Sequence, residues 1–362
     1  MGNVWSSFWE PECGQGRGLL GDDESSLGAR YETDLFPKKI GEGQFSKAYI
    51  CWSKGDSSRR YALKVFKPAD EGAEHATNEV RVLLLLGQHP RIIRLVDLHD
   101  EDPRNMRIVL ELCTGGQLFD RLVSIGRYRE AKAACVVQEI LEAISYMHGK
   151  GVMHRDLKPE NILLVSPAND IDIKVCDFGI AKMAEQWDGN LVIPARKTPN
   201  RLRPRSSSFK GSDFYLAPEM LRQEEYGPEI DIWSLGVTAY SLISGRLPFV
   251  GDGGSEDLRG TYSKIVNRDI RFEGEAWEEA SPEARAFLLL LLCLDPAQRP
   301  TAPQALSHSW VKSARESYVD SDVSEEEDQE EEEEETEESE LQMDELDSEG
   351  GLPPGCMPKK HQ

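Results

Sequence analysis

The two halves of this 362-residue chain set their apolar residues on different periods. From Tyr31 to about Cys113 the pattern is that of strands. Residues 48–52, 60–66, 92–98 and 106–112 are β-branched, aromatic or alternating, which suits a pleated surface with one buried face. One helical stretch, 75–86, interrupts them and ends in the apolar cluster 82–86. After Gly115-Gly116 the period becomes helical. Within 129–148, Ala133, Val136, Val137, Ile140, Leu141, Ile144 and Met147 recur at helical spacing, so that face is predicted to be buried. Residues 231–244 and 282–293 read as two further apolar helices, and 302–311 closes the fold. The leucine string in 286–294 is about half as long as a membrane span and is predicted to be a buried helix. Strands followed by helices predict an α+β fold of two lobes with a cleft between them.

Composition changes this picture at the ends of the chain. A hydrophobic content of 39% supports a real core, and the net charge of −23 is local. Residues 320–349 hold nineteen Asp or Glu and no Lys or Arg, which leaves −4 for everything else. The acidity belongs to a tail, 312–362, predicted to be disordered, and nucleic acid is not an expected partner. Seven cysteines are scattered with no C-x-x-C pair, the usage of reduced intracellular thiols rather than of a disulfide framework or a zinc site. With no charged-then-apolar secretory leader, an intracellular, cytoplasmic protein is expected. Residues 1–30 form a Gly- and Ser-rich leader that opens Met1-Gly2-Asn3-Val4-Trp5-Ser6, a pattern for N-myristoylation of Gly2. One acyl chain holds a membrane only marginally. Val4, Trp5, Phe8 and Trp9, or an acylated Cys13, are candidates for the second signal; the alternative is that the aromatics dock on the folded domain.

The candidate chemistry lies in the chain's middle. His154-Arg155-Asp156-Leu157-Lys158-Pro159-Glu160-Asn161 is followed, sixteen residues after Asn161, by Asp177-Phe178-Gly179. That order offers one carboxylate to a substrate hydroxyl, and an amide and a second carboxylate to magnesium, as phosphoryl transfer requires. Upstream, Gly41-Glu42-Gly43-Gln44-Phe45-Ser46-Lys47-Ala48 sits between two strand patterns. Its glycines would let a hairpin backbone approach phosphates closely, although an ordinary hairpin turn uses glycines as well. Lys64 follows on the next strand and Glu79 on the first helix. A strand lysine can neutralise nucleotide phosphates when a helix carboxylate holds its ammonium in place.

With Ala217-Pro218-Glu219, Asp231-x-Trp233-Ser234-x-Gly236 and Arg299-Pro300-Thr301, these motifs stand in the order of a eukaryotic protein kinase domain. The chain resembles that family over about 31–311. Gly115-Gly116-Gln117-Leu118-Phe119-Asp120, Lys158-Pro159-Glu160-Asn161 and Leu306-Ser307-His308-Ser309-Trp310 are similar to the calmodulin-dependent and calcium-dependent group. The resemblance implies a bilobal kinase fold, a β-rich lobe over about 31–112 and a helical lobe over about 116–311, with ATP in the cleft. It implies a serine/threonine protein kinase acting on protein Ser/Thr hydroxyls, because Lys158 is the Ser/Thr form of the loop. In that frame Asp156 orients the acceptor hydroxyl and Lys158 counters charge on the transferring group. Asn161 and Asp177 hold Mg2+. Ile40, Gly41, Glu42, Gly43, Gln44, Phe45, Ser46, Ala48, Ala62, Lys64, Glu79, Leu110, Glu111, Cys113 and Leu163 line the nucleotide site, with Leu110 as gatekeeper. Ser212 would touch the catalytic Asp and Lys. Glu219 and Arg299 would form a buried ion pair, Asp231 would brace the catalytic loop, and His154 and Cys176 would pack. His148 and His308 are read as structural or surface histidines. The glycine loop departs from the family at Ser46 and Ala48.

The segment 183–210 is strongly basic and ends in Ser206, Ser207 and Ser208, each of the outer two with arginines three and five residues before it. Phosphorylation there, read by Arg155, is the expected activation; an ordinary surface loop is the alternative. The acidic tail would shield this loop or the substrate groove, or bind basic partners, or simply be solvated. A basophilic substrate preference is expected from Glu160, weakened because Gln117 stands where the group carries a glutamate. No EF-hand loop or basic amphipathic segment follows the domain, so calcium regulation through this chain is not expected. The alternative to an active kinase is a pseudokinase or scaffold that binds partners through its tails.

Overall fold

A computed structural model describes residues 27–67, 70–99, 106–184, 211–313 and 318. The expectations for Gly2, Cys13, the leader aromatics, Ser206 to Ser208, the basic residues around them, the Ser212 side chain and the acidic tail lie outside the described residues. The chain divides into two units, Met1–Ala314 and Arg315–Gln362. The first contains all the elements below.

Its small lobe is a six-stranded antiparallel sheet of β1 (Tyr31–Glu32), β2 (Lys39–Glu42), β3 (Ser46–Ser53), β4 (Asp56–Phe66), β5 (Leu95–His99) and β6 (Arg107–Glu111), with helix α1 (Asp70–Leu86) inserted after β4. The order is β1-β3-β4-β6-β5, with β2 beside β3. Alternation builds it: on β3, Tyr49 and Cys51 turn into a cluster with Leu63, Val65 and Val109 that Leu27 and Tyr31 cover. Leu27 is wholly buried there, so the small-lobe core takes in a residue of the expected 1–30 leader. The strand expected over 92–98 starts later, at Leu95, because Ile92 and Ile93 leave the sheet and pair with Val175 in the large lobe.

The large lobe is helical: α2 (Leu118–Ile125), α3 (Glu130–Gly149), α4 (Pro218–Leu221), α5 (Glu229–Ser244), α6 (Leu258–Asn267), α7 (Glu275–Glu279), α8 (Pro282–Leu291), α9 (Ala302–Leu306) and α10 (Ser309–Lys312). Between α3 and α4 lie β7 (Val152–Met153), the hairpin β8 (Ile162–Ser166) and β9 (Asn169–Val175), and β10 (Lys182–Met183). All seven apolar positions picked out on α3 are fully buried, each large aliphatic side chain contributing about 1.5–3 kcal/mol relative to exposure. Helix α5 runs buried along nearly its whole length. It ends at Gly245, whose backbone φ of +67° is left-handed and where a Cβ would lie 2.3 Å from the carbonyl oxygen of Gly126. Any side chain there meets both strain and a clash.

The expectation of a buried helix over 286–294 needs correction. Helix α8 buries Ala284, Phe287, Leu288 and Leu291, spaced three and four apart, whereas Leu289 and Leu290 face outward. No helix among the described residues is long and apolar enough to cross a membrane.

Candidate active site

Strand register aims the nucleotide-facing residues. Ala48 lies opposite Lys64, and Ala62 opposite Leu110. Directly paired residues share a face, as do alternate residues along a strand, so Ala48, Ala62, Lys64 and Leu110 look to one side of the sheet. Leu110 is buried, while Ile40, Ala48, Ala62, Cys113 and Leu163 keep part of their surface open. Leu163 enters from β8 in the large lobe, bridged to Gln117. Glu111 has its N–H committed to the Arg94 carbonyl at 3.1 Å and its carboxylate paired with Lys174 at 2.9 Å. Burial pushes the Cys113 thiol up to about 11, so it stays protonated.

Above this face the glycine loop closes as a hairpin turn, Gly43 N–H donating to the Ser46 carbonyl at 2.9 Å. Lys67 holds the turn from outside, its ammonium donating to the carbonyls of Gln44 at 2.7 Å and Gly43 at 3.3 Å. Phe45 at the tip stacks on His75 of α1, ring centroids 3.7 Å apart. Neither Gly41 nor Gly43 needs to be glycine for the protein's own sake: a Cβ would sit 3.7 Å from Ala48 Cβ and 3.8 Å from the Ser46 oxygen, ordinary contact distances. Glycine at both positions instead keeps the loop backbone clear of side chains, as a close approach to phosphates requires.

Lys64 is the hub of the charged centre. Its ammonium lies 2.6 and 2.7 Å from the two Glu79 oxygens and 3.1 Å from Asp177 Oδ1. That ammonium holds the Asp177 carboxyl down to about 2, while burial pushes Glu79 up to about 7 against the same attraction. Burial opposes the Lys64 charge, but the two carboxylates overcome it and raise its pKa. Asp177 is half exposed although Lys64 and Glu79 are not, so the free side of its carboxylate faces the cleft.

The loop between β7 and β8 supplies the second half. Lys158 Nζ lies 2.8 and 3.0 Å from the Asp156 carboxylate. Asn161 Nδ2 donates to the Asp156 carbonyl at 2.7 Å and to Oδ2 at 3.0 Å, which leaves the amide oxygen of Asn161 for another partner. Backbone joins the two halves: Cys176 N–H donates to the Asn161 carbonyl at 2.9 Å. An amide oxygen and a carboxylate are hard ligands that suit magnesium, an ion that completes its shell with water and phosphate oxygens. Among the described residues no three His, Cys, Asp or Glu side chains converge as a metal cage. One amide oxygen and one carboxylate leave most of the shell to water and phosphate, and that donor set fits a nucleotide-shared cation.

Residues 36–311 match the model of the protein kinase domain. The chain belongs to the protein kinase family. It is 38% identical over 308 residues to "Calcium/calmodulin-dependent protein kinase type 1" of Macrobrachium nipponense, covering 84% of this chain and 83% of that one. It is 37% identical over 305 residues to "Calcium/calmodulin-dependent protein kinase type IV" of Homo sapiens, covering 84% of this chain but only 59% of the relative. "Myosin light chain kinase A" of Dictyostelium discoideum is 38% identical over 281 residues, 77% of this chain and 88% of that one. The chain is accordingly a serine/threonine protein kinase similar to the calmodulin-kinase group, in a family that uses ATP with Mg2+.

Behind the kinase centre the expected braces are in place. Asp231 accepts from the backbone N–H groups of His154 and Arg155, both at 2.9 Å, and from the His148 ring at 2.9 Å. Burial works against its charge, but the His148 and backbone hydrogen bonds win and keep the carboxyl low. Arg299 forks onto Glu219 at 2.6 and 2.8 Å. His154 is buried, its ring 2.9 Å from the Cys176 carbonyl and tilted on Phe178, and burial pushes the Cys176 thiol up. His308 caps α10. Arg155, expected to await a phosphate, donates instead to the Ile180 carbonyl through Nε, at 2.7 Å, and Nη2. Its Nη1 reaches Tyr226 only at 3.4 Å. Lys67, His75 and Asn78 escaped the sequence reading; the one signal was an asparagine inside a helix, a poor helix former that asks for another reason to be there.

Proposed function

We propose that Asp156 orients the Ser/Thr hydroxyl and takes its proton as the γ-phosphoryl group is transferred, with Lys158 balancing the charge that builds between them. The observation that carries this is the Asp156 carboxylate itself, fixed between the Lys158 ammonium and the Asn161 amide. Lys64, steadied by Glu79, neutralises nucleotide phosphates, and Asn161 and Asp177 hold magnesium. Bound there, the ion supplies charge neutralisation at phosphate oxygens. Ile40, Ala48, Ala62, Leu110 and Leu163 clasp the base.

The substrate class we infer is proteins with basic residues before the acceptor. Glu160 supports it: Oε2 is buried with no hydrogen-bond partner, and burial pushes its carboxyl up, an unfavourable state that an arriving guanidinium relieves. Activation by phosphate at Ser206, Ser207 or Ser208 remains part of the proposal, since Arg155 could exchange the Ile180 carbonyl for a phosphate. So does membrane attachment through an acylated Gly2. The calcium and calmodulin in the relatives' names are not carried over; in this chain we assign regulation by charge to the acidic segment 320–349. A peptide array phosphorylated by wild type, Asp177→Ala and Glu160→Gln tests the reading. Asp177→Ala should leave every spot blank, and Glu160→Gln should lower labelling of arginine-bearing peptides about tenfold while sparing arginine-free ones. Equal labelling by wild type and Asp177→Ala refutes it.

A further inference from the structure

Glu79 ties helix α1 to Lys64, but the residue before it makes a different connection. Asn78 Nδ2 lies 3.0 Å from the Phe178 carbonyl, 3.1 Å from the Gly179 carbonyl and 2.9 Å from the Ala181 carbonyl. A primary amide has two N–H donors, so three acceptors share them, and the carbonyls of a whole turn converge on one atom. That turn begins at Asp177, whose φ of +66° is left-handed without being glycine. Such a conformation persists only where its surroundings hold it. The Asp177 side chain is anchored on Lys64 alone among the described contacts, and Lys64 is shared with Glu79. One turn earlier on the same helix, His75 closes the other side of the turn: a Cβ on Gly179 would lie 2.8 Å from its Nδ1.

We propose that Asn78 is a positioning residue for Asp177, fixing the backbone from which that carboxylate reaches magnesium. Adjacent side chains of α1 thus act on different parts of the centre, Glu79 setting the ammonium and Asn78 setting the turn that carries the metal ligand. Displacing the helix undoes both together. The inference rests on the assignment of Asp177 to magnesium, and its test separates the two.

The test uses the full chain with Asn78→Ala, Asn78→Asp and Asp177→Asn. Asp is isosteric with Asn but sets carboxylate oxygens against the three carbonyls. Ala, the better helix former at this half-buried site, keeps the test open should Asp prevent folding. In the nucleotide-free chain, hydrogen exchange should quicken about tenfold or more over 176–184 in both Asn78 variants while α5 exchanges as before. The Mn2+ concentration for half-saturation in the presence of a non-hydrolysable ATP analogue, followed by electron paramagnetic resonance, should rise about tenfold, the usual scale for losing a group that orients a metal ligand. Peptide KM should stay within about twofold as kcat falls, since the interaction acts on the transfer centre and not on peptide binding. If Asp177→Asn loses Mn2+ but the Asn78 variants keep both exchange and Mn2+ affinity, this inference is overturned and the metal assignment stands. If Asp177→Asn binds Mn2+ normally, both fall.

Discussion

Two buried glutamates in this protein hold a cation at 2.6 Å, and they serve opposite ends. Glu219 meets Arg299 with one carboxylate per guanidinium, and every side of the pair is closed. Arg299 Nε donates to the Cys293 carbonyl at 2.7 Å, Nη1 to the Glu229 carbonyl at 3.1 Å, and the guanidinium lies 5.0 Å from the Trp233 ring. Glu79 meets Lys64, but a second carboxylate, Asp177, leans on the same ammonium and is half open to the cleft. One negative charge is left over. A balanced, sealed pair fastens a lobe, whereas an unbalanced, open one is a site that a metal–nucleotide complex completes.

Substitutions should split this comparison cleanly. The largest effect falls on activity at the open pair: Lys64→Met should lower phosphoryl transfer by about 10³-fold, the scale of a lost transition-state charge partner, with a smaller loss of stability than at the sealed pair, because Glu79, already raised to about 7, takes up a proton when its ammonium goes. At the sealed pair the order reverses. Arg299→Ala strands a buried carboxylate and should cost about 3–5 kcal/mol of stability, read by thermal melting, while the molecules still folded turn over normally. Replacing both partners, Glu219→Leu with Arg299→Met, should recover most of that loss.

The smallest effect concerns pH. Burial has raised Glu79 to about 7, so as pH falls through that value its carboxylate takes a proton and loosens its hold on Lys64. Asp177, held at about 2, stays charged throughout. The KM for ATP should therefore climb about tenfold from pH 8 to pH 6, as for one group titrating near 7 whose deprotonated form supports binding, and Glu79→Gln should abolish that dependence. For stability the sign is opposite: the folded state binds this proton more readily than the unfolded chain between about pH 4.5 and 7, so this one group favours folding as pH falls through that window.

Much of this contrast was legible in the sequence, and the reason is physical. Lys64, Glu79, Asp156, Asn161 and Asp177 sit at spacings that strand, helix and loop geometry convert into contacts, so motif order carried them. Glu219 and Arg299 came with the same order. The seven core positions of α3 followed from helical period alone. Helix α8 was misjudged because a leucine run hides which face is in: Leu289 and Leu290 look no different from Leu288 until a partner helix chooses. Helices α2, α6 and α7 each bury only one or two residues, too few to show a period along the chain. Asn78 and Lys67 leave little trace in the sequence for another reason. Their partners are backbone carbonyls, which every residue has and no pattern marks.

Catalysis by this centre depends most on Asp156 being the residue that meets the acceptor hydroxyl. The direct measurement is phosphate incorporation from ATP into an arginine-bearing serine peptide at saturating Mg2+, by the full chain and by Asp156→Asn, with melting curves for both. Steady transfer is predicted for the first, a loss of about 10²-fold or more for the second, and intact folding for each. Transfer at the same rate by Asp156→Asn, or none by the wild-type chain phosphorylated at Ser206, Ser207 and Ser208, would contradict that role.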